Sequence, residues 1–143
     1  MILNKDALDQ ITADLGNEEG LRLQVYKDSR GNDTWGYGFL LANGWDKEEC
    51  DFILAHRLQK YEAQLAAAFP KYYELDSIRQ CVLLDMAWNM GVPGLMEFKN
   101  MLADILRRDY GAAADEIMQS ESAQQHPGRN QLWANRMRTG LHE

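Results

Sequence analysis

Glu19-Gly20-Leu21-Arg22-Leu23, Tyr26-Lys27-Asp28 and Gly31-Asn32-Asp33-Thr34-Trp35-Gly36-Tyr37-Gly38 make up the stretch whose reading decides the fold. It opens with a carboxylate at the end of a helical pattern and passes into short β-like pieces rich in Gly, Asp and Asn. Leu23, Val25 and Tyr26 suggest one strand, and Thr34, Trp35 and Tyr37 the returning one. Between them Ser29-Arg30-Gly31-Asn32-Asp33 is turn chemistry. Gly36 and Gly38 flank Tyr37, and strand glycines mark a bulge or the close approach of another backbone or a ligand. A sheet of two or three such strands is marginal alone and must lean on a helix.

Outward from this stretch the chain reads as helices. Leu3, Ala7, Leu8, Ile11 and Leu15 recur at helical spacing, which predicts a helix over 3–17 capped by Asn4 or Asp6 and stopped at Gly20. Glu19 then lies in a last turn, the unfavourable end of the helix dipole for a carboxylate. Asp46, followed three residues later by Glu49, has the form of a capping box and opens a long helix to about Phe69, ended by Pro70. Its apolar stripe runs through Cys50, Ile53 or Leu54, Leu58, Tyr61, Leu65 and Ala68. Asp76 or Ser77 caps a helix to about Met90 that is apolar nearly all round and so predicted to be buried; Asp85 inside it reads as a carboxylate held by a hydrogen bond. Gly91-Val92-Pro93-Gly94 reads as a turn, then 95–107 and 110–120 as helices, 120–128 as a polar loop, and 130–138 as a final helix closed by Gly140. The expected architecture is α+β and mostly helical. A small antiparallel β-sheet lobe (about 17–45) is joined by a long helix (about 46–69) to a helical bundle lobe (about 70–143, with helix 3–17).

The 143 residues suit one domain, and 45% hydrophobic residues suffice for a core without disulfide or metal. A net charge of −7 argues against nucleic acid as a partner. Cys50 and Cys81 read as reduced core thiols, and His56, His126 and His142, without ligand spacing, as surface residues, so neither metal nor cofactor is expected. No apolar run approaches a membrane span, and no signal peptide is read at the N-terminus, so synthesis in the cytoplasm is expected. Between Gln125 and His142 there is no acidic residue, while Arg129, Arg136 and Arg138 fall there. They read equally as a cationic patch for an anionic ligand or as arginines favoured near a helix C-terminus.

Glycoside hydrolysis commonly uses two carboxyl groups on opposite sides of the scissile bond, one protonating the leaving oxygen and the other activating water or attacking carbon. Eight residues separate Glu19 from Asp28, enough for a helix end and a strand to set them across a cleft. Five more lead to Thr34, which returns on the partner strand near Asp28, where its hydroxyl could hold a water. Acidic pairs at such spacing are common, so spacing permits this chemistry without specifying it.

The same residues resemble the signature of the phage-type lysozymes, glycoside hydrolase family 24, and the first segment is close to the T-even phage enzymes. A second matching stretch is Leu75-Asp76-Ser77-Ile78-Arg79, Asn89-Met90-Gly91 and Phe98-Lys99-Asn100; a weaker third is Pro127-Gly128-Arg129 with Arg136-Met137-Arg138-Thr139-Gly140. Together they follow the family's order over nearly the whole chain. The resemblance implies a lysozyme-like fold and a muramidase that cleaves the β-1,4 bond between N-acetylmuramic acid and N-acetylglucosamine with inversion. Glu19, picked out over Glu18 by the Gly20 after it, would be the general acid, with Asp28 and Thr34 positioning water. Arg129 would orient Glu19 and touch substrate, and Gly38, Phe39, Leu40, Trp88 and Asn89 would line the cleft, although core packing reads at least as well for Trp88.

Two departures accompany the resemblance. Phe39 stands where the family usually has histidine, and the chain is acidic where phage lysozymes are often basic. The leading expectation is a phage or prophage endolysin, a monomer acting on peptidoglycan glycan strands of the wall after release. The alternative is a catalytically impaired lysozyme-fold module that binds peptidoglycan or a protein partner.

Overall fold

A computed structural model describes residues 4–143, the side chains of Glu18 and Glu19 excepted. The start of the first predicted helix at Leu3 lies outside the described residues. Helix α1 runs over Lys5–Leu15, capped by Asn4, whose side-chain oxygen accepts from the Ala7 N–H at 2.8 Å. A single π-helical turn, Gly16–Gly20, extends it, and Gly20 ends it at φ +70°. Then come β1 (Arg22–Lys27), β2 (Asp33–Gly36) and β3 (Phe39–Leu40), an antiparallel sheet in the order β1-β2-β3. Tyr26 pairs with Thr34 and Thr34 with Leu40, so Thr34 lies on the central strand. Tyr37, expected within the returning strand, instead sits in the β2–β3 turn, because Gly36 and Gly38 both take positive φ and reverse the chain there.

Helix α2 (Lys47–Ala68) begins with the expected capping box: Asp46 Oδ1 accepts from the Glu49 N–H and Glu49 Oε2 from the Asp46 N–H. The remaining helices are α3 (Ser77–Met96), α4 (Lys99–Leu106), α5 (Tyr110–Met118), α6 (Glu121–Gln125) and α7 (Pro127–Thr139). Among the described residues the architecture is thus α+β, with seven α-helices and one small antiparallel sheet. The chain divides into two compact units, 1–50 and 51–143, and α1 falls with the sheet in the first.

The hydrophobic core of the second unit is built from Leu65, Leu83, Met86, Leu95, Met101, Ile105, Ile117, Trp133 and Met137, all essentially without solvent exposure. Helix α7 packs on α3, α5 and α6. Arg79 closes its C-terminal end. The guanidinium donates through Nε to the Met137 carbonyl at 2.7 Å and through Nη2 to the Arg138 carbonyl at 3.1 Å, while its carbon lies 3.6 Å from the Tyr110 ring centre. Helix termini leave four carbonyls unsatisfied, and a basic side chain reaching them is one solution.

Several sequence expectations are corrected here. Helix α3 is not apolar all round in its setting: Cys81, Asp85 and Trp88 fall on one exposed stripe at helical spacing, opposite the buried Val82, Leu83, Met86 and Ala87. Cys81 and Cys50 are both exposed free thiols rather than core residues. The break after Met90 is confined to Gly91 (φ 77°, ψ 158°). The chain turns helical again at once, because Pro93 sits in the first turn of the new piece, where a missing N–H is harmless. Residues 120–128 are not a plain loop: Ser120 caps the short α6 through the Ala123 N–H, and Pro127 starts α7 three residues before the expected Asn130. Gly140 closes α7 at φ 68°, as expected.

Candidate active site

The first unit gathers Glu19, Asp28, Thr34, Gly38, Phe39 and Leu40. Glu19 lies in the π-helical turn; its side chain is outside the described residues, so the backbone alone is placed. Such turns are rare and occur often at functional sites. This one approaches the β2–β3 turn: a Cβ added to Gly16 would stand 3.5 Å from the Tyr37 ring.

Asp28 is the first residue of the β1–β2 turn and holds it closed. Its Oδ1 accepts from the N–H groups of Arg30 and Asn32, each at 2.8 Å, and its Oδ2 accepts only a longer bond, 3.3 Å, from the Asn32 amide. The backbone N–H of Asn32 is the main cause that pulls the Asp28 carboxyl below its ordinary range. Partial burial opposes it, and the Arg30 N–H, the Asn32 amide and the Arg30 charge help it. Asp28 is therefore a carboxylate throughout the neutral range, with one oxygen committed to the turn and the other mostly open.

Thr34 is 2% exposed, and its hydroxyl donates to the Asn32 carbonyl at 3.0 Å. The same carbonyl receives the Asp28 N–H at 2.9 Å. Asn32 thus joins the two predicted water-holding residues, a role that sequence reasoning left at general turn chemistry. The signal was present: an Asn four residues after an Asp in a glycine-containing turn can return both its N–H groups to the carboxylate.

Phe39 and Leu40 form β3, 48% and 36% exposed. Phe39 lies over Gly36, where an added Cβ would stand 2.7 Å from its ring, and edge-on to Trp35 at 5.6 Å between centres. With Tyr37 and Trp45 nearby it completes an aromatic cluster around the sheet end. Gly38 supplies the turn before it at φ 75°.

The second unit holds Trp88, Asn89 and Arg129. Trp88 on α3 is 39% exposed and packs against Tyr61, ring centres 5.6 Å apart, so it is half core and half surface. Asn89, next along the helix, accepts through Oδ1 from Arg129 Nη1 at 2.7 Å. Arg129 occupies the first turn of α7, where the helix dipole disfavours a cation, and its guanidinium carbon lies 5.0 Å from the Trp133 ring centre. Among the described residues it forms no ion pair, and its Nε is buried without a partner. Arg136 and Arg138 do not share this state. They sit in the last turn of α7, where Arg138 pairs with Asp115 at 2.7 Å and Arg136 donates to the His142 carbonyl. Next to Asn89 and Arg129 opens a cavity of about 730 Å³, with Glu97, Lys99, Glu116 and Ser122 on its walls.

The phage lysozyme family matches residues 16–136 of this chain, from the π-helical turn through most of α7. The chain belongs to the phage lysozyme family. That span takes in every position singled out above, from Glu19 to Arg129. Relatives include probable T4-type lysozyme 2 of Dictyostelium discoideum, 28% identical over 86% of this chain and 90% of that protein. Probable T4-type lysozyme 1 of the same organism is 25% identical over the same shares. This phage-type lysozyme has, among its described residues, no helix long and apolar enough to cross a membrane. Its class is that of a lysozyme-type glycoside hydrolase, whose family substrate is peptidoglycan.

Proposed function

We propose that this chain is an inverting muramidase that hydrolyses the β-1,4 bond between N-acetylmuramic acid and N-acetylglucosamine. Glu19 gives a proton to the leaving oxygen. Asp28 and Thr34 hold the water that attacks the opposite face of the sugar. Inversion calls for a carboxyl separation of roughly 6.5–9.5 Å, wide enough for that water.

The observation that carries this reading is the state of Asp28. Its turn bonds keep it ionised and leave Oδ2 largely free to accept a hydrogen from water. A carboxyl held this low is a poor proton store at neutral pH, so Asp28 acts by charge and orientation. The proton then has to come from a second carboxyl, the part given to Glu19. Arg129, a cation with no carboxylate partner among the described residues, suits an anionic group of the substrate.

Gly38, Phe39 and Leu40 in the first unit, and Trp88 and Asn89 in the second, are assigned to sugar binding. The protein works as a monomer, made in the cytoplasm and acting on the wall once released, as a phage or prophage endolysin does. Turbidity loss of bacteria with permeabilised outer membranes tests the reading. The wild-type chain should lyse them, and Glu19→Gln should not, at unchanged thermal stability. Full lysis by Glu19→Gln would overturn it. Sedimentation of Glu19→Gln with purified peptidoglycan should show that binding survives.

A further inference from the structure

Asp85 has no part in the assignments above, yet two routes lead from its carboxylate to Arg129. Oδ1 accepts from Asn89 Nδ2 at 3.0 Å, and the same amide nitrogen donates to the Asp85 carbonyl at 2.8 Å. Oδ2 accepts from the indole Nε1 of Trp133 at 2.8 Å. Asn89 Oδ1 in turn receives Arg129 Nη1 at 2.7 Å, and the Trp133 ring lies beneath the guanidinium, 5.0 Å from its carbon. An amide between a carboxylate and a guanidinium has one admissible orientation, its NH₂ toward the acceptor and its oxygen toward the donor. The carboxylate therefore decides which face Asn89 shows Arg129, and it fixes the ring on which Arg129 rests. It makes no bond to Arg129 itself, so the cation is held in place without being neutralised.

We propose that Asp85 is a positioning residue for hydrolysis, aiming the Arg129 guanidinium through Asn89 and Trp133. The proposal rests on the role given to Arg129 above. Near-attack geometry is sensitive to small displacements of positioning groups, so losing the aim should lower the rate measurably. Asp85→Asn keeps the shape of the side chain but offers one oxygen to two donors. Asn89→Ala breaks the amide route and leaves the Asp85–Trp133 bond.

The test combines kinetics on purified peptidoglycan with the side-chain ¹⁵Nε–¹H resonance of Arg129. Asp85→Asn should lower kcat/KM by about tenfold in the wild-type chain and by less than twofold in an Arg129→Ala background, the signature of action through one residue; Asn89→Ala, at a residue also assigned to sugar binding, is read by the resonance alone. In both, the Arg129 resonance should broaden or lose protection from exchange with water, at a thermal midpoint that shows the fold intact. An unmoved resonance in Asp85→Asn and Asn89→Ala overturns the proposal, as does an equal loss of activity in Asp85→Asn with and without Arg129. Wild-type kcat/KM in Arg129→Ala overturns the role of Arg129 and this proposal with it. A wild-type chain without hydrolysis overturns the functional reading instead, and the resonance then decides whether Asp85 aims the guanidinium.

Discussion

Asp28 and Asn32 are bound to each other by three hydrogen bonds: Asp28 N–H to the Asn32 carbonyl, Asn32 N–H to Asp28 Oδ1, and the Asn32 amide to Asp28 Oδ2. With the Thr34 hydroxyl on the same carbonyl, three residues of one turn form a unit. The carboxylate is held mainly by backbone groups, which no side-chain rotation can withdraw.

A pH dependence follows. The folded Asp28 carboxyl lies below its ordinary value of 3.8. A depressed carboxyl contributes stability that is fully present above the unfolded value and is lost as pH falls through the folded one. Thermal unfolding between pH 6 and pH 2 should therefore show a larger loss below about 3.8 in the wild type than in Asp28→Asn, in which Asp76 and Glu74, also depressed, still titrate.

Thr34 separates function from stability. Thr34→Val removes one hydroxyl bond, worth about 1 kcal/mol, and returns some of it as buried methyl. Its midpoint of unfolding should move little while kcat falls at least about tenfold, and Thr34→Ser should keep most of the activity. Comparing kcat with calorimetric midpoints checks both.

Gly36 is constrained twice, by φ 63° and by the Phe39 ring. A left-handed conformation costs a side-chain residue about 1–2 kcal/mol, and the overlap adds to it. Gly36→Ala should lower stability by about 2 kcal/mol or more in denaturant unfolding. Gly36→Ala/Phe39→Ala should be less destabilised than the sum of the two single changes, since the ring that clashes is gone.

Arg79 ties α3 to the end of α7. Arg79→Ala should lower stability by about 2–3 kcal/mol, since it releases two helix-end carbonyls and a stacked ring. Arg79→Lys should recover little, because one ammonium cannot reproduce the fork. Urea titration measures both.

Much of this was legible in the residues. Asn4, Asp46 with Glu49, Gly20 and Gly140 announce their helix ends, because capping is local chemistry. The β-turn at Asp28 was equally local. What escaped depends on tertiary partners. Whether Cys81 or Val82 faces the core is decided by which side of α3 meets the other helices, and a helix rich in apolar residues all round does not say. The short α6 was hidden in a polar run, since its only signal was Ser120 as a cap. Asn32, Asp85 and Trp133 were missed as site residues, since their importance lies in whom they touch. Asp85 and Asn89 at i, i+4 could have suggested each other; Trp133, 48 residues from Asp85, could not.

The central claim, a proton donor at position 19 working with a water held at Asp28 and Thr34, is tested most directly by digesting purified peptidoglycan and identifying the products. The wild-type chain should release fragments ending in reducing N-acetylmuramic acid, formed first as the α-anomer by NMR, and Glu19→Gln, equally folded, should release none. Fragments of the same kind from Glu19→Gln, or a β-anomer as the first product, would contradict the account.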